Sequence, residues 1–251
     1  MSQLWTNINI GIGIAILIIV IIIIIIIVII GIYVYPTRRT VTHEIDGYTV
    51  LEIYNILSHK QCRDLIEYAK TKEMVPSTIA DYTNKETGSQ ANNTRRSTNV
   101  WLSDGDHPVI NNIANISAEL TGLSVENQEM LQIVKYEPGG TFFPHFDVCD
   151  STDQEFCDKF NHYSGQRRYT LLIYLNDDFT GGETEFVDIG LKIKPEIGKA
   201  ILFPSITADT QTIMLNSKHM GHEAHNGNKW ICTKWSHLEK WNEIIYPPTQ
   251  N

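Results

Sequence analysis

Pro144-His145-Phe146-Asp147 places an imidazole and a carboxylate two residues apart. In an extended strand, positions i and i+2 project from one face, so His145 and Asp147 can hold one metal ion together. A second imidazole would complete two histidines and one carboxylate with coordination positions left open, the arrangement of non-haem Fe(II) oxygenases. His219, His222 and His225 compete for that place, each three residues from the next. The same three could form a zinc cluster of their own. No cysteine or fourth ligand lies beside them, however, and Gly221, Asn226 and Gly227 give the segment a loop-like composition. Lys229 would supply the positive charge that an acidic co-substrate needs.

Such residues need elements to hold them. The alternation from Gly47 to Tyr54 predicts a first strand. Ser58-His59-Lys60-Gln61 has the form of a capping box, and Leu57, Leu65, Ile66 and Ala69 then recur at helical spacing. Met74 to Arg96 is polar and reads as a long loop. A second helix is expected from about His107 to Leu120, with Val109, Ile110, Ile113, Ile116 and Leu120 on one face and Gly122 just past its end. Beyond Asn127 the pattern changes to short strands, at Met130–Tyr136, Arg168–Asn176, Leu191–Ile193, Ala200–Phe203 and Lys229–Trp235, separated by turn signals. Helices first and strands later predict an antiparallel barrel or sandwich with helices packed outside it.

Ile10 to Ile32 contains no charged residue. As a helix this run would extend about 35 Å at roughly 1.5 Å per residue, enough for a hydrocarbon core of about 30 Å. A cleaved signal peptide fits less well, because no basic region precedes the run and Gly31-Ile32-Tyr33-Val34-Tyr35 is a poor cleavage site. The expected organisation is therefore a tail (1–9), a transmembrane anchor (10–35), a polar linker (36–46), a catalytic domain (47–245) and a C-terminal tail (246–251). Arg38 and Arg39 just after the span argue for a cytosolic domain by the positive-inside rule. The sequons at Asn92 and Asn115 permit a lumenal one.

The formal net charge of −9 argues against a nucleic-acid binder, which would show basic clusters. Four cysteines in 251 residues do not make a disulfide scaffold. Cys62 and Cys232 lie in apolar patterns and read as core thiols, whereas Cys149 and Cys157 flank a polar loop and could pair.

Taken together, several ordered segments resemble the prolyl 4-hydroxylase family of Fe(II)- and 2-oxoglutarate-dependent dioxygenases. The resemblance covers roughly Leu51 to Trp241. It runs through Tyr136-Glu137-Pro138-Gly139-Gly140, the His145/Asp147 segment, Arg168 to Asn176, Gly181-Gly182-Glu183-Thr184-Glu185-Phe186, Pro195 to Phe203 and Gly227 to Trp235. It implies a double-stranded β-helix, or jelly roll, with helices on one side, an α+β fold preceded here by the single transmembrane helix. It implies 4-hydroxylation of peptidyl proline in a proline-rich or collagen-like protein, coupled to oxidative decarboxylation of 2-oxoglutarate, with L-ascorbate as reductant. The family places its co-substrate lysine ten residues after the distal histidine, which selects His219 and Lys229. The iron ligands implied are thus His145, Asp147 and His219, and the 2-oxoglutarate pocket is Lys229 with Tyr136, Thr184 and Trp235. Arg95, Ser97, Arg167 and His237 match residues that hold a peptide.

The chain departs from the family at Arg96, where a threonine is usual, and in Met220-Gly221-His222-Glu223-Ala224-His225. Alternatives are a lysyl or other peptidyl hydroxylase on the same iron site, and a non-catalytic binding module displayed on a membrane. By family analogy the chain would be a type II single-pass membrane protein with a lumenal catalytic domain.

Overall fold

The computed structural model describes residues 14–26, 37–80, 89–91, 95–152, 154–161 and 164–241. The chain divides into two units, Met1–Arg38 and Arg39–Asn251.

In the first unit, residues 14–26 form helix α1. Among the described residues no helix is long and apolar enough to cross a membrane. The expectation of a single-pass, type II membrane protein is therefore overturned. The remainder of the expected anchor (10–13 and 27–35), both terminal tails and the Asn92 sequon lie outside the described residues.

The second unit is built on two antiparallel sheets. The major sheet has eight strands: β1 (Arg39–Ile45), β2 (Tyr48–Tyr54), β3 (Val75–Pro76), β6 (Thr98–Leu102), β7 (Leu131–Tyr136), β9 (Arg167–Tyr174), β13 (Ala200–Pro204) and β16 (Lys229–His237). Their order across the sheet is β1-β2-β13-β9-β16-β7-β6-β3. The minor sheet is β12-β11-β14-β8, from β8 (Phe142–His145), β11 (Thr184–Phe186), β12 (Leu191–Ile193) and β14 (His219–Gly221). Two small ladders, β4 (Thr78–Ala80) with β5 (Ser89–Ala91) and β10 (Thr180–Gly181) with β15 (Ala224–His225), complete it. Within the stretch expected as a linker (36–46), Arg39–Ile45 form β1, whose seven residues pair in register with β2.

Alternation along the central strands generates two cores. On β9, Leu171 and Ile173 face one apolar cluster, and Leu172 and Tyr174 face the other. β13 divides likewise into Ala200 and Leu202 against Ile201 and Phe203, and β16 into Trp230 and Cys232 against Ile231. The first cluster is covered by helices α2 (His59–Lys70) and α3 (Pro108–Thr121) through Leu65, Ile66, Ile110 and Ile113. Each such side chain contributes about 1.5–3 kcal/mol on burial, which outweighs the marginal stability of isolated helices this short. The second cluster fills the space between the sheets and includes Phe186 and Ile193 of the minor sheet. The result is a β-sheet-rich fold consistent with a jelly roll, with helices packed on one side.

The helix ends follow local chemistry. Ser58 and Gln61 form the reciprocal capping box of α2, and α3 ends on Gly122 in the left-handed region. A fourth helix, α4 (Gln154–Asn161), follows the His145/Asp147 segment, and Cys149 and Cys157 are joined in a disulfide across that turn. Cys62 and Cys232 are free and buried.

Candidate active site

Adjacent strands of the minor sheet bring the two distant imidazoles together. β8 and β14 pair antiparallel with His145 directly opposite His219, their ring centroids 4.3 Å apart. β8 ends at His145, so Asp147 lies beyond the strand and not at its i+2 position. Its carboxylate nevertheless turns into the same space. Oδ1 lies 3.7 Å from His145 Nε2, and Oδ2 lies 3.8 Å from His219 Nε2. One ligand atom from each residue falls within 4.8 Å of the others. These gaps are too long for hydrogen bonds and suit donors that share a cation.

The surroundings orient each donor. His145 Nδ1 bonds Phe143 O at 2.8 Å and His219 Nδ1 bonds Ser217 O at 2.9 Å, which turns both Nε2 atoms toward the carboxylate. Metal-bound histidines are oriented in this manner, the outer nitrogen fixed by a carbonyl. Thr170 Oγ donates to Asp147 Oδ2 at 2.7 Å. Burial and the neighbouring His219 hold the His145 imidazole well below its ordinary range, in the neutral form a ligand requires. Burial works against the Asp147 charge, but His219, His145, Arg167 and the Thr170 bond outweigh it and keep the carboxyl ionised. The donor set fits Fe(II).

Lys229 begins β16 on the face that looks between the sheets, opposite Tyr136 in register. Only 2 % exposed, its ammonium donates to Gly182 O at 2.7 Å and faces the rings of Tyr136 and Tyr174 at 5.1 and 5.7 Å. Among the described residues it makes no ion pair, and burial pushes it down to about 7 despite Glu183. A cation held in this way is one carboxylate short, which fits 2-oxoglutarate. Thr184 is buried on β11 and accepts from Tyr174 OH at 2.7 Å. Thus Lys229, Tyr136 and Thr184 come together.

Trp235 does not join them. It pairs in register with Thr170, level with Asp147, and lies under the Arg167 guanidinium at 3.7 Å and beside Trp101 at 5.7 Å. Six residues of strand separate it from Lys229, about 20 Å along the backbone.

The four residues expected at a peptide fall into two groups. Arg167 and His237 converge on Glu129: Arg167 Nη2 donates to Oε2 at 2.9 Å, and His237 Nε2 bonds Oε1 at 3.0 Å. Arg95 donates to Gln132 Oε1 at 3.0 Å with its guanidinium over the Phe142 ring, and Ser97 Oγ bonds Ser77 Oγ at 2.8 Å. His222 is bound to Glu185, and His225 is exposed on β15; neither belongs to the metal cluster. Glu129, Gln132, Thr170 and Tyr174 were not anticipated from the sequence. They sit in apolar strands or just before one, and only their partners mark them.

Residues 131–237 match the 2OG-Fe(II) oxygenase superfamily. The chain is 33% identical over 208 residues to prolyl 4-hydroxylase 5 of Arabidopsis thaliana, across 75% of this chain and 68% of that one. It is 32% identical over 211 residues to prolyl 4-hydroxylase subunit alpha-1 of Gallus gallus, across 82% of this chain and 39% of that one. Among solved structures it is similar to viral collagen prolyl hydroxylase from Paramecium Bursaria Chlorella virus-1 in its 2OG complex. That match has a TM-score of 0.60 and 28% identity, and covers 76% of this chain and 96% of that one. The chain belongs to the prolyl 4-hydroxylase family of Fe(II)- and 2-oxoglutarate-dependent oxygenases.

Proposed function

We propose that this chain 4-hydroxylates peptidyl proline in a proline-rich or collagen-like substrate, with Fe(II) and 2-oxoglutarate. The observation that carries the reading is the His145, Asp147 and His219 donor cluster beside a buried Lys229 ammonium that makes no ion pair among the described residues and lies 3.7 Å from a Cβ built on Gly221, two residues beyond His219 on β14. When bound, the iron and co-substrate supply O2-dependent oxidation, with 2-oxoglutarate converted to succinate and CO2 as the substrate C–H becomes C–OH.

The protein's own residues bind, orient and exclude water. His145, Asp147 and His219 hold the ion on one side and leave the other open. Lys229 pairs with a co-substrate carboxylate, and Tyr136 and Thr184 line its place. Phe186, Ile201 and Phe203 close the back of the space with apolar surface, strengthening each charge interaction inside it. Arg95 and Ser97 are assigned to the backbone carbonyls of an extended peptide, with Arg167 and His237, both held on Glu129, supporting that side of the site. The catalytic domain is assigned to residues 47–245 with β1 added at its start.

The test is Fe(II)- and peptide-dependent turnover of 2-oxoglutarate, with mass spectrometry of the peptide. One oxygen gained on proline, and lost in His145→Ala, Asp147→Ala and His219→Ala, is the expected result. Oxygen on lysine would instead establish a lysyl hydroxylase. Absence of turnover with the ion bound would leave a binding module.

A further inference from the structure

We propose that Arg96 and Glu223 are positioning residues that pin segment 95–97 across the rim of the site and thereby set Arg95 and Ser97 toward the peptide. The inference rests on the peptide-hydroxylase reading above.

Three stretches of chain meet at Gly139-Gly140. Gly139 N donates to Ala224 O at 2.8 Å, and Ala224 N returns a bond to Gly140 O at 3.2 Å. Arg96 N donates to Thr141 O at 2.9 Å, and Arg95 forms a β-bridge with Phe142. Over this junction Arg96 Nη2 bonds Gly139 O and lies 3.7 Å from Glu223 Oε1. Gly139 has φ +84, and a Cβ there would stand 3.2 Å from that carboxylate oxygen. A side chain would crowd the bridge, and glycine leaves it room.

The segment so pinned reaches the metal site. Arg95 covers the Phe142 ring at 4.7 Å, and that ring stacks on His145 at 3.5 Å. Ser97 O accepts from Ser77 N at 2.9 Å on the far side. A displacement of Arg96 therefore moves Arg95 against a ring in contact with a metal ligand. Both charges are about half exposed, so the pair by itself is weak and salt-sensitive. Its leverage comes from locking backbone bonds already aligned.

The test is charge reversal. Arg96→Glu or Glu223→Arg alone places like charges together and should raise the KM for a proline-rich peptide about three- to fivefold at low salt, the range of an exposed pair. The KM for 2-oxoglutarate should not move appreciably, because Lys229 and its partners are not touched by either substitution. The double variant restores opposite signs and should return the peptide KM toward wild type; high salt should shrink every difference. Hydrogen exchange at the Arg96 amide, measured on the full chain without substrate, should quicken in each single variant and slow again in the double. Single variants that match wild type in both measurements would overturn the proposal, and so would losses the double variant does not recover. If no peptide supports turnover in the wild-type protein, the hydroxylase reading fails, and the amide exchange alone decides whether the pair pins the segment.

Discussion

Thr170 donates its hydroxyl to Asp147 Oδ2 over 2.7 Å, a buried bond between residues 23 apart in sequence. The threonine belongs to the major sheet and the carboxylate to the segment leaving the minor one. The bond therefore ties the metal-binding carboxylate to the opposite wall of the barrel.

Thr170→Val keeps the shape and removes the donor. Affinity for Fe(II), or for Mn(II) as a redox-stable probe, should weaken by about 10- to 100-fold, as when other outer partners of metal ligands are lost. Equilibrium metal titration reads this directly. Unchanged affinity would mean that Asp147 is oriented by its backbone alone.

Lys229 predicts a pH dependence. Its ammonium titrates at about 7 in the folded protein and near 10.5 when exposed. Between these values the unfolded chain holds a proton that the folded chain has released, so stability of the ligand-free protein rises with pH across the window. A bound carboxylate favours the ammonium. Above neutrality 2-oxoglutarate should therefore bind with proton uptake and lose affinity as pH climbs. Calorimetry in buffers of different ionisation heat measures the uptake. Lys229→Met should abolish it and weaken co-substrate binding by about 2–5 kcal/mol. It should also stabilise the ligand-free protein most at low pH, where the buried charge is fully present.

Gly182 controls where that ammonium points. Its carbonyl accepts the Lys229 bond, and its φ is +72 at Gly181 and +69 at Gly182 through this turn. A Cβ at Gly182 would stand 3.0 Å from Lys229 Cδ and 2.7 Å from the Phe179 ring. Gly182→Ala should raise the KM for 2-oxoglutarate about tenfold, the cost of roughly 1.4 kcal/mol of lost binding, while leaving metal affinity intact. Parallel metal and co-substrate titrations separate the two.

Glu129 should be the largest single contributor to stability among the site's outer residues. Burial opposes its charge, but Arg167 and His237 outweigh burial and hold the carboxyl at about 2. Its contribution is full above the ordinary value of 4.5 and is lost as pH falls toward 2. Glu129→Gln leaves Arg167 buried without its partner and should cost about 3–5 kcal/mol at neutral pH. In denaturant titrations the deficit should narrow as the solution is acidified.

Legibility followed element length in the main, although the three-residue β12 was read while the seven-residue β1 and the five-residue β6 were not. Helices α2 and α3 and the long strands β7, β9, β13 and β16 carry enough residues for a period to be read. The strands that hold the metal site do not: β8, β11 and β14 have four, three and three residues. Two or three alternations cannot be told from loop composition. The 74–96 stretch, read as one loop, likewise conceals the short strands β3, β4 and β5. The apolar N-terminal run shows the opposite failure, since composition alone suggested a span, whereas among the described residues no helix is long and apolar enough to cross a membrane.

Taken alone, the sequence determined the kinds of group available. It supplied two imidazoles and a carboxylate in ligand-like spacing, a lysine ten residues after the last histidine, and a strand pattern that must bury two faces. Donor chemistry and periodicity are local properties, written residue by residue. Only the tertiary structure decided which groups meet. It set His145 across from His219 and carried Asp147 past its strand into the same space. It gave Asp147 to Thr170 and Arg167 to Glu129, and moved Trp235 away from Lys229. Those pairings depend on register between strands far apart in the chain, and a shift of one residue would turn each side chain to the opposite face.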